Sequence, residues 1–152
     1  MTKQQLQEEL KQSMLAKDAV KTSVLRMLLS ALTYYEINKG GAGYEATDED
    51  VLAVIQKEAK QRKDSIEQFG KAGRQELVDK ETAELKLLEV YLPAQMGEDE
   101  IRKLVQEAIS QTGATTVADI GKVMSALMPQ TRGKADGSLV SKIVREKLSI
   151  NS

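Results

Sequence analysis

The sequence predicts an all-α fold, and three observations carry that reading. Apolar residues recur at intervals of three and four along almost the whole chain, the spacing of a buried stripe on an amphipathic helix. Alternation of apolar and polar residues, the mark of a half-buried strand, is nowhere sustained. The breaks fall at glycines, at the two prolines and at residues that cap helices. The expected architecture is an N-terminal helical bundle of about four helices followed by a small three-helix C-terminal domain.

Leu6, Leu10 and Met14, spaced by four, give a short first helix one apolar stripe. Asp18 can cap a second helix carrying Val20, Val24, Leu25, Met27, Leu28, Ala31, Leu32 and Tyr35. A stripe this wide predicts burial on most sides, at the centre of the first core. Gly40-Gly41-Ala42-Gly43 ends that helix in a flexible loop. Its glycines would let backbone N–H groups approach an anion, but the run follows a helix and no Gly-Lys-Ser/Thr closes it, so the phosphate-loop pattern fails.

Thr47 reads as the next N-cap, with Asp48, Glu49 and Asp50 in the positive first turn of a third helix. Those acids could chelate a hard cation, yet consecutive helical positions point in different directions, and complementing the helix dipole accounts for them without a metal. The third helix runs through Val51, Leu52, Val54, Ile55, Ala59, Ile66 and Phe69 to a stop at Gly70 and Gly73. A fourth, through Leu77, Val78, Leu85, Leu88, Tyr91 and Leu92, ends against Pro93.

Pro93-Ala94-Gln95-Met96-Gly97 interrupts the helical pattern, so the linker is placed at 93–97, between a domain at 1–93 and a second at 98–152. The second domain should hold a helix with Ile101, Leu104, Val105, Ala108 and Ile109 before Gly113. A helix capped by Thr116 follows, with Ile120, Val123, Met124 and Leu127 before Pro129. The last helix, capped by Asp136, carries Leu139, Val140, Ile143, Val144 and Leu148. At roughly 50 residues this domain is near the lower size limit for independent folding.

Composition removes most chemistries. Lys and Arg number 22 against 23 Asp and Glu, so only local charge can argue for a polyanionic partner. Cysteine and histidine are absent, which excludes disulfides, thiolate nucleophiles and the usual zinc ligands. Removal of Met1 would expose Thr2 as an N-terminal nucleophile, but it opens a polar helix rather than a buried strand. The reading is therefore no catalytic residue, no metal and no cofactor. No stretch approaches the roughly 20 apolar residues of a membrane span, and the opening Met1-Thr2-Lys3-Gln4-Gln5 lacks the apolar core of a signal peptide. The expectation is a cytoplasmic protein with no membrane partner.

Local charge is uneven. Residues 57–74 hold Lys57, Lys60, Arg62, Lys63, Lys71 and Arg74 against Glu58, Asp64 and Glu67, a pattern that fits either the solvated face of a helix or a phosphate-facing surface. Residues 120–152 hold Lys122, Arg132, Lys134, Lys142, Arg145 and Lys147 against only Asp136 and Glu146. The loop between the last two helices sets Arg132 and Lys134 on either side of Gly133, where side-chain cations and backbone N–H groups at a helix start could meet phosphate oxygens. Charge alone leaves a solvated surface equally open there.

Gly121-Lys122-Val123-Met124, then Gly133-Lys134-Ala135-Asp136 and the closing Leu139-Val140-Ser141-Lys142-Ile143-Val144, resemble the tail domain of the B subunit of glutamine-dependent aspartyl/glutamyl-tRNA amidotransferases. Upstream, Lys60-Gln61-Arg62-Lys63-Asp64-Ser65 and Leu87-Leu88-Glu89-Val90-Tyr91-Leu92-Pro93 resemble the free-standing GatB/YqeY-like proteins, and the resemblance covers essentially the whole chain. It implies a two-domain all-α fold and, by analogy with the amidotransferase tail, contact with tRNA. It also implies an inherited label of carbon–nitrogen ligase with glutamine as amido donor, although the ATP-dependent activation belongs in that family to a catalytic domain with no counterpart here.

Together these readings predict a tRNA-binding accessory module, not itself catalytic, that offers Lys122, Arg132, Gly133, Lys134, Lys142 and Arg145 to phosphates, with Arg62 and Lys63 as secondary contacts. With few aromatics to stack on bases, recognition should be of shape and backbone. Two alternatives stand beside it: an adaptor docking on an amidotransferase or an aminoacyl-tRNA synthetase, and a partner subunit active in ligase chemistry only within a complex.

Overall fold

The computed structural model describes residues 1–150; the last two residues of the expected second domain, 151 and 152, lie outside the described residues. Among the described residues the regular structure is seven α-helices and one 3-10 turn, with no strand. Helices α1 (Lys3–Leu15), α2 (Ala19–Gly40), α3 (Asp48–Lys71) and α4 (Gln75–Glu89) belong to one compact unit, Met1–Leu92. Helices α5 (Glu98–Thr112), α6 (Ile120–Thr131) and α7 (Gly137–Ile150), with the 3-10 turn Val117–Asp119, belong to a second unit that begins at Pro93.

The first core is aliphatic. Leu6 of α1 meets Val24, Leu25, Leu28 and Leu32 of α2, Val51, Val54 and Ile55 of α3, and Leu88 of α4. Fully burying one such leucine contributes about 1.5–3 kcal/mol. Helix α2 is central, as its apolar content suggests, but it is not covered on most sides. Val20 stays 50% exposed and Met27 41%, on the face that also carries Tyr34 at 71% and Ile37 at 60%. Helices α1, α3 and α4 all pack on α2 through its Val24, Leu25, Leu28 and Leu32 side, and no other element remains in this unit to cover the rest.

The helix ends follow their capping residues. Asp18 accepts from the Lys21 N–H at 3.0 Å to start α2, and Thr47 accepts from the Asp50 N–H at 3.2 Å to start α3. Helix α1 ends where the Asp18 N–H reaches the Ser13 carbonyl and the Lys17 N–H reaches that of Met14, the paired bonds of a left-handed cap. The residue in the left-handed position is Lys17, at φ 57, where a side chain costs roughly 1–2 kcal/mol that glycine avoids. Helix α4 stops at Glu89, earlier than its apolar pattern, and Tyr91 and Leu92 follow in i→i+3 turn bonds.

In the second unit Ile101, Val105 and Ile109 of α5, Val123 and Leu127 of α6, and Val140, Ile143, Val144 and Leu148 of α7 close a separate core. Thr116 does not cap α6 directly. A 3-10 turn intervenes, held by the Asp119 carboxylate, which accepts from the N–H groups of Thr115 at 3.0 Å and Thr116 at 3.3 Å. Nor does α6 stop before Pro129; it runs through to Thr131. Pro129 and Ser125, whose carbonyl the proline cannot serve, both lie on the exposed side, which lowers the cost of the missing bond. The expected linker is partly built in, since the Met96 N–H donates to the Lys134 carbonyl at 2.8 Å and the Gln95 amide to that of Gly133 at 2.9 Å.

The partial covering of α2 separates two of its residues. Leu25→Ala should destabilise the protein by about 2–5 kcal/mol, whereas Val20→Ala should fall within about 0.5 kcal/mol of wild type. Urea denaturation of both variants reads the difference; equal losses would mean that α2 is buried all round.

Candidate functional site

The basic residues of the second unit lie at its surface. Lys122 is on the exposed side of α6, Arg132 and Lys134 are exposed in the α6–α7 loop, and Lys142 and Arg145 are exposed on α7. The last two stand three residues apart, so they share one helix face, together with the exposed Ser138 and Ser149. Among the described residues, Lys122, Lys134, Lys142 and Arg145 engage in no ion pair. On the same helix, Glu146 points toward Arg102 of α5, 3.5 Å away, which takes the acid of this segment into an internal contact.

The loop itself differs from expectation at its backbone. Gly133 is buried at φ 75, the left-handed position that ends α6, and its carbonyl is taken by Gln95. The N–H groups of Lys134 and Ala135 both donate to the Thr131 carbonyl, and that of Arg132 to Met128. The Ser138 N–H is held by the Asp136 carboxylate at 3.1 Å, so Asp136 does cap α7. Backbone donors expected for a phosphate therefore close the turn instead, and Gly133 serves the bend rather than a ligand. An anion at this loop would therefore meet side chains, among them the exposed Lys134.

Arg62 is also not a surface contact. It is 5% exposed, with Nη1 donating to Glu58 Oε2 at 3.2 Å, Nε 3.4 Å from Glu84 Oε2, and Nη2 on the Met27 sulfur at 3.6 Å. It thus links α2, α3 and α4 from within. Its neighbour Lys63 is exposed. The run Lys60-Gln61-Arg62-Lys63 therefore splits by helical phase, and only one of the two residues expected as secondary contacts can reach a ligand.

A polar cluster that the sequence reading did not foresee lies where α2 meets α3. Asp50 is buried and accepts from the Tyr35 hydroxyl at 2.8 Å, the Tyr44 hydroxyl at 2.5 Å, the Lys39 ammonium at 3.0 Å and the Thr47 N–H at 3.0 Å. The Lys39 ammonium also sits 5.4 Å and 5.6 Å from the ring centres of Tyr35 and Tyr44. Nearby, buried Glu36 accepts from Lys3 at 2.6 Å and from the Ala46 N–H at 2.7 Å. The glycine-rich loop is therefore anchored at Tyr44 and Ala46. Gly40 lies so close to Tyr44 that a Cβ there would come within 2.7 Å of it.

The protonation states in this cluster suit a clasp. The hydrogen bond from Tyr44, then that of Thr47, hold the Asp50 carboxyl well below the usual carboxylate range despite burial. Asp50 in turn pushes the Lys39 ammonium and the Tyr44 hydroxyl up. Lys3 and the Ala46 N–H hold Glu36 below its ordinary value. The acids and the lysine are thus kept charged and Tyr44 neutral, the opposite of a proton-transfer pair poised near neutral pH. Two signals in the sequence pointed here: a glutamate on the apolar face of α2 four residues after Leu32, and the placing of Tyr35 and Tyr44 around an N-terminal helix turn.

The family model for YqeY-like proteins matches residues 3–148. Among curated relatives, the mitochondrial "Altered inheritance of mitochondria protein 41" of Pyrenophora tritici-repentis is 33% identical over 148 residues, covering 93% of this chain and 77% of that protein. Its namesake in Vanderwaltozyma polyspora is 31% identical over 121 residues, 76% of this chain and 64% of the relative, and that in Kluyveromyces lactis is 40% identical over 105 residues, 66% and 55%. The chain therefore spans less than two thirds of the length of two of these three. Their names overturn the expectation of a cytoplasmic protein. The polar residues on which that expectation rested do not distinguish the cytosol from an organelle.

Two measurements test the buried charges. Replacing Glu84 with Ala strands part of the Arg62 guanidinium and should cost about 3–5 kcal/mol, against less than about 0.5 kcal/mol for Lys63→Ala, read by urea denaturation. Because the Asp50 carboxyl is held below its ordinary range, it stabilises the fold at neutral pH and loses that contribution as acid protonates it. The thermal midpoint of wild type should accordingly fall more steeply below about pH 4 than that of Asp50→Asn, and parallel curves would refute the clasp.

Proposed function

This chain belongs to the YqeY-like protein family, and from that premise we propose that its second unit holds the phosphate backbone of a structured RNA, with transfer RNA the expected ligand. The observation that supports this most is the exposed pair Lys142 and Arg145 on one face of α7, with Lys134 and Arg132 in the loop that leads into that helix. Cations on a helix give fixed points against a regular array of phosphates. The chain as a whole carries a net charge of −1, so attraction to RNA must act through this patch rather than through the global field. The second reading, an adaptor that docks on an amidotransferase or a synthetase, is favoured by the open apolar face of α2 with Tyr34 and Ile37.

The test is a binding titration of tRNA at two salt concentrations. Lys142→Glu with Arg145→Glu should weaken binding about tenfold and uniformly across sequences, and each phosphate contact neutralised should reduce the salt slope by about one. Reversal of Lys11 and Lys80, both exposed in the first unit, changes net charge equally and should leave affinity near wild type. Equal losses in both double variants would reduce the patch to diffuse attraction, and no loss in either would move the adaptor reading ahead.

A further inference from the structure

We propose that the cleft at the turn from α1 to α2 binds a small phosphate monoester. The cleft, open to solvent over much of its extent, has a volume of about 480 Å³ and is bordered by Met14, Lys17, Asp18, Thr22, Ser23 and Arg26. Two cations flank it, and neither is spent elsewhere: among the described residues Lys17 and Arg26 make no ion pair, while the neighbouring Lys21 is taken by Glu9 at 2.8 Å. Arg26 reaches the weak acceptor Sδ of Met14, 3.9 Å away. The one carboxylate present, that of Asp18, is engaged in capping α2 through the Lys21 N–H. One positive charge is therefore left in excess, beside the exposed Ser23 hydroxyl.

The backbone at Lys17 adds an independent argument. Every other left-handed residue among those described is a glycine: Gly41, Gly43, Gly73, Gly113 and Gly133. Only at the end of α1 does the chain place a side chain in that conformation, and it is a lysine bordering the cleft. Glycine there would remove the strain, so a lysine at this position costs stability that glycine would not. The volume lies within the range of small-molecule sites, about 300–1,000 Å³, and exceeds what a bare phosphate fills. The Met14 thioether supplies an apolar wall for the organic body that carries the phosphate.

The experiment is amide NMR on the full chain during titration with inorganic phosphate, glycerol 3-phosphate and adenosine monophosphate. Saturable shifts confined to residues 17–26 are expected with the two monoesters, with inorganic phosphate binding about tenfold more weakly. Arg26→Gln should weaken monoester binding about tenfold. Lys17→Gly should weaken it similarly while raising the thermal midpoint, and Lys17→Asn, which tolerates the left-handed backbone without the charge, should repeat the loss. Lys142→Gln with Arg145→Gln should bind monoester as wild type does, which separates this site from the RNA surface. No saturable shift with either monoester, wild-type affinity in Lys17→Gly, or inorganic phosphate binding as tightly as the esters would each overturn the proposal.

Discussion

Glu36, Asp50 and Glu84 of the first unit are buried, and a buried charge costs several kcal/mol unless fixed partners replace the water it loses. Much of that unit's geometry follows from supplying those partners. Asp50 draws in Tyr35, Lys39 and Tyr44, which fixes where α2 ends and how the following loop returns. Glu36 takes Lys3 from the start of α1 and the Ala46 N–H from that same loop. Glu84 and Glu58 face Arg62 and so set α4 against α3. The aliphatic core supplies the driving force, but non-directional burial alone would let four helices slide; the charge partners select one register.

What the sequence made legible was what depends on local rules. Periodicity located the helices, and Asp18, Thr47 and Asp136 cap as their types dictate, because an N-cap is decided within three residues. The misreadings came where neighbours distant in sequence decide. Val20 and Met27 look like core residues on α2, yet both stay largely exposed, Met27 meeting the Arg62 guanidinium of α3 at its sulfur. Pro129 looks like a stop, yet helix α6 continues because the unserved carbonyl lies on the exposed side. Thr116 looks like the cap of a helix that begins one 3-10 turn later.

The candidate site was legible in the same uneven way. Side-chain exposure follows helical phase, so Lys142 and Arg145 could be placed on one face from spacing alone. Arg62 and Lys63 are adjacent in sequence but a helix turns about 100° between them, and one is sealed among acids while the other meets solvent. Gly133 was read as room for an anion; it is instead the left-handed end of α6, and the N–H groups around it are already in use. Composition identifies which residues could bind, but only packing tells which are left to do so.

That distinction separates the two units. Among the described residues, every buried charged side chain, Glu36, Asp50, Arg62 and Glu84, is in the first, whereas the one buried polar residue of the second is Thr131, whose hydroxyl is satisfied by the Leu127 carbonyl. The second unit closes a core of valine, leucine, isoleucine and alanine without using any charge inside it. Its lysines and arginines are therefore not required for folding, and replacing them costs little stability. Cations that a fold does not need, set on a helix and on a turn closed by its own backbone bonds, lose little further freedom when they meet an anion. The buried charges of the first unit, by contrast, are bound up in holding its helices together.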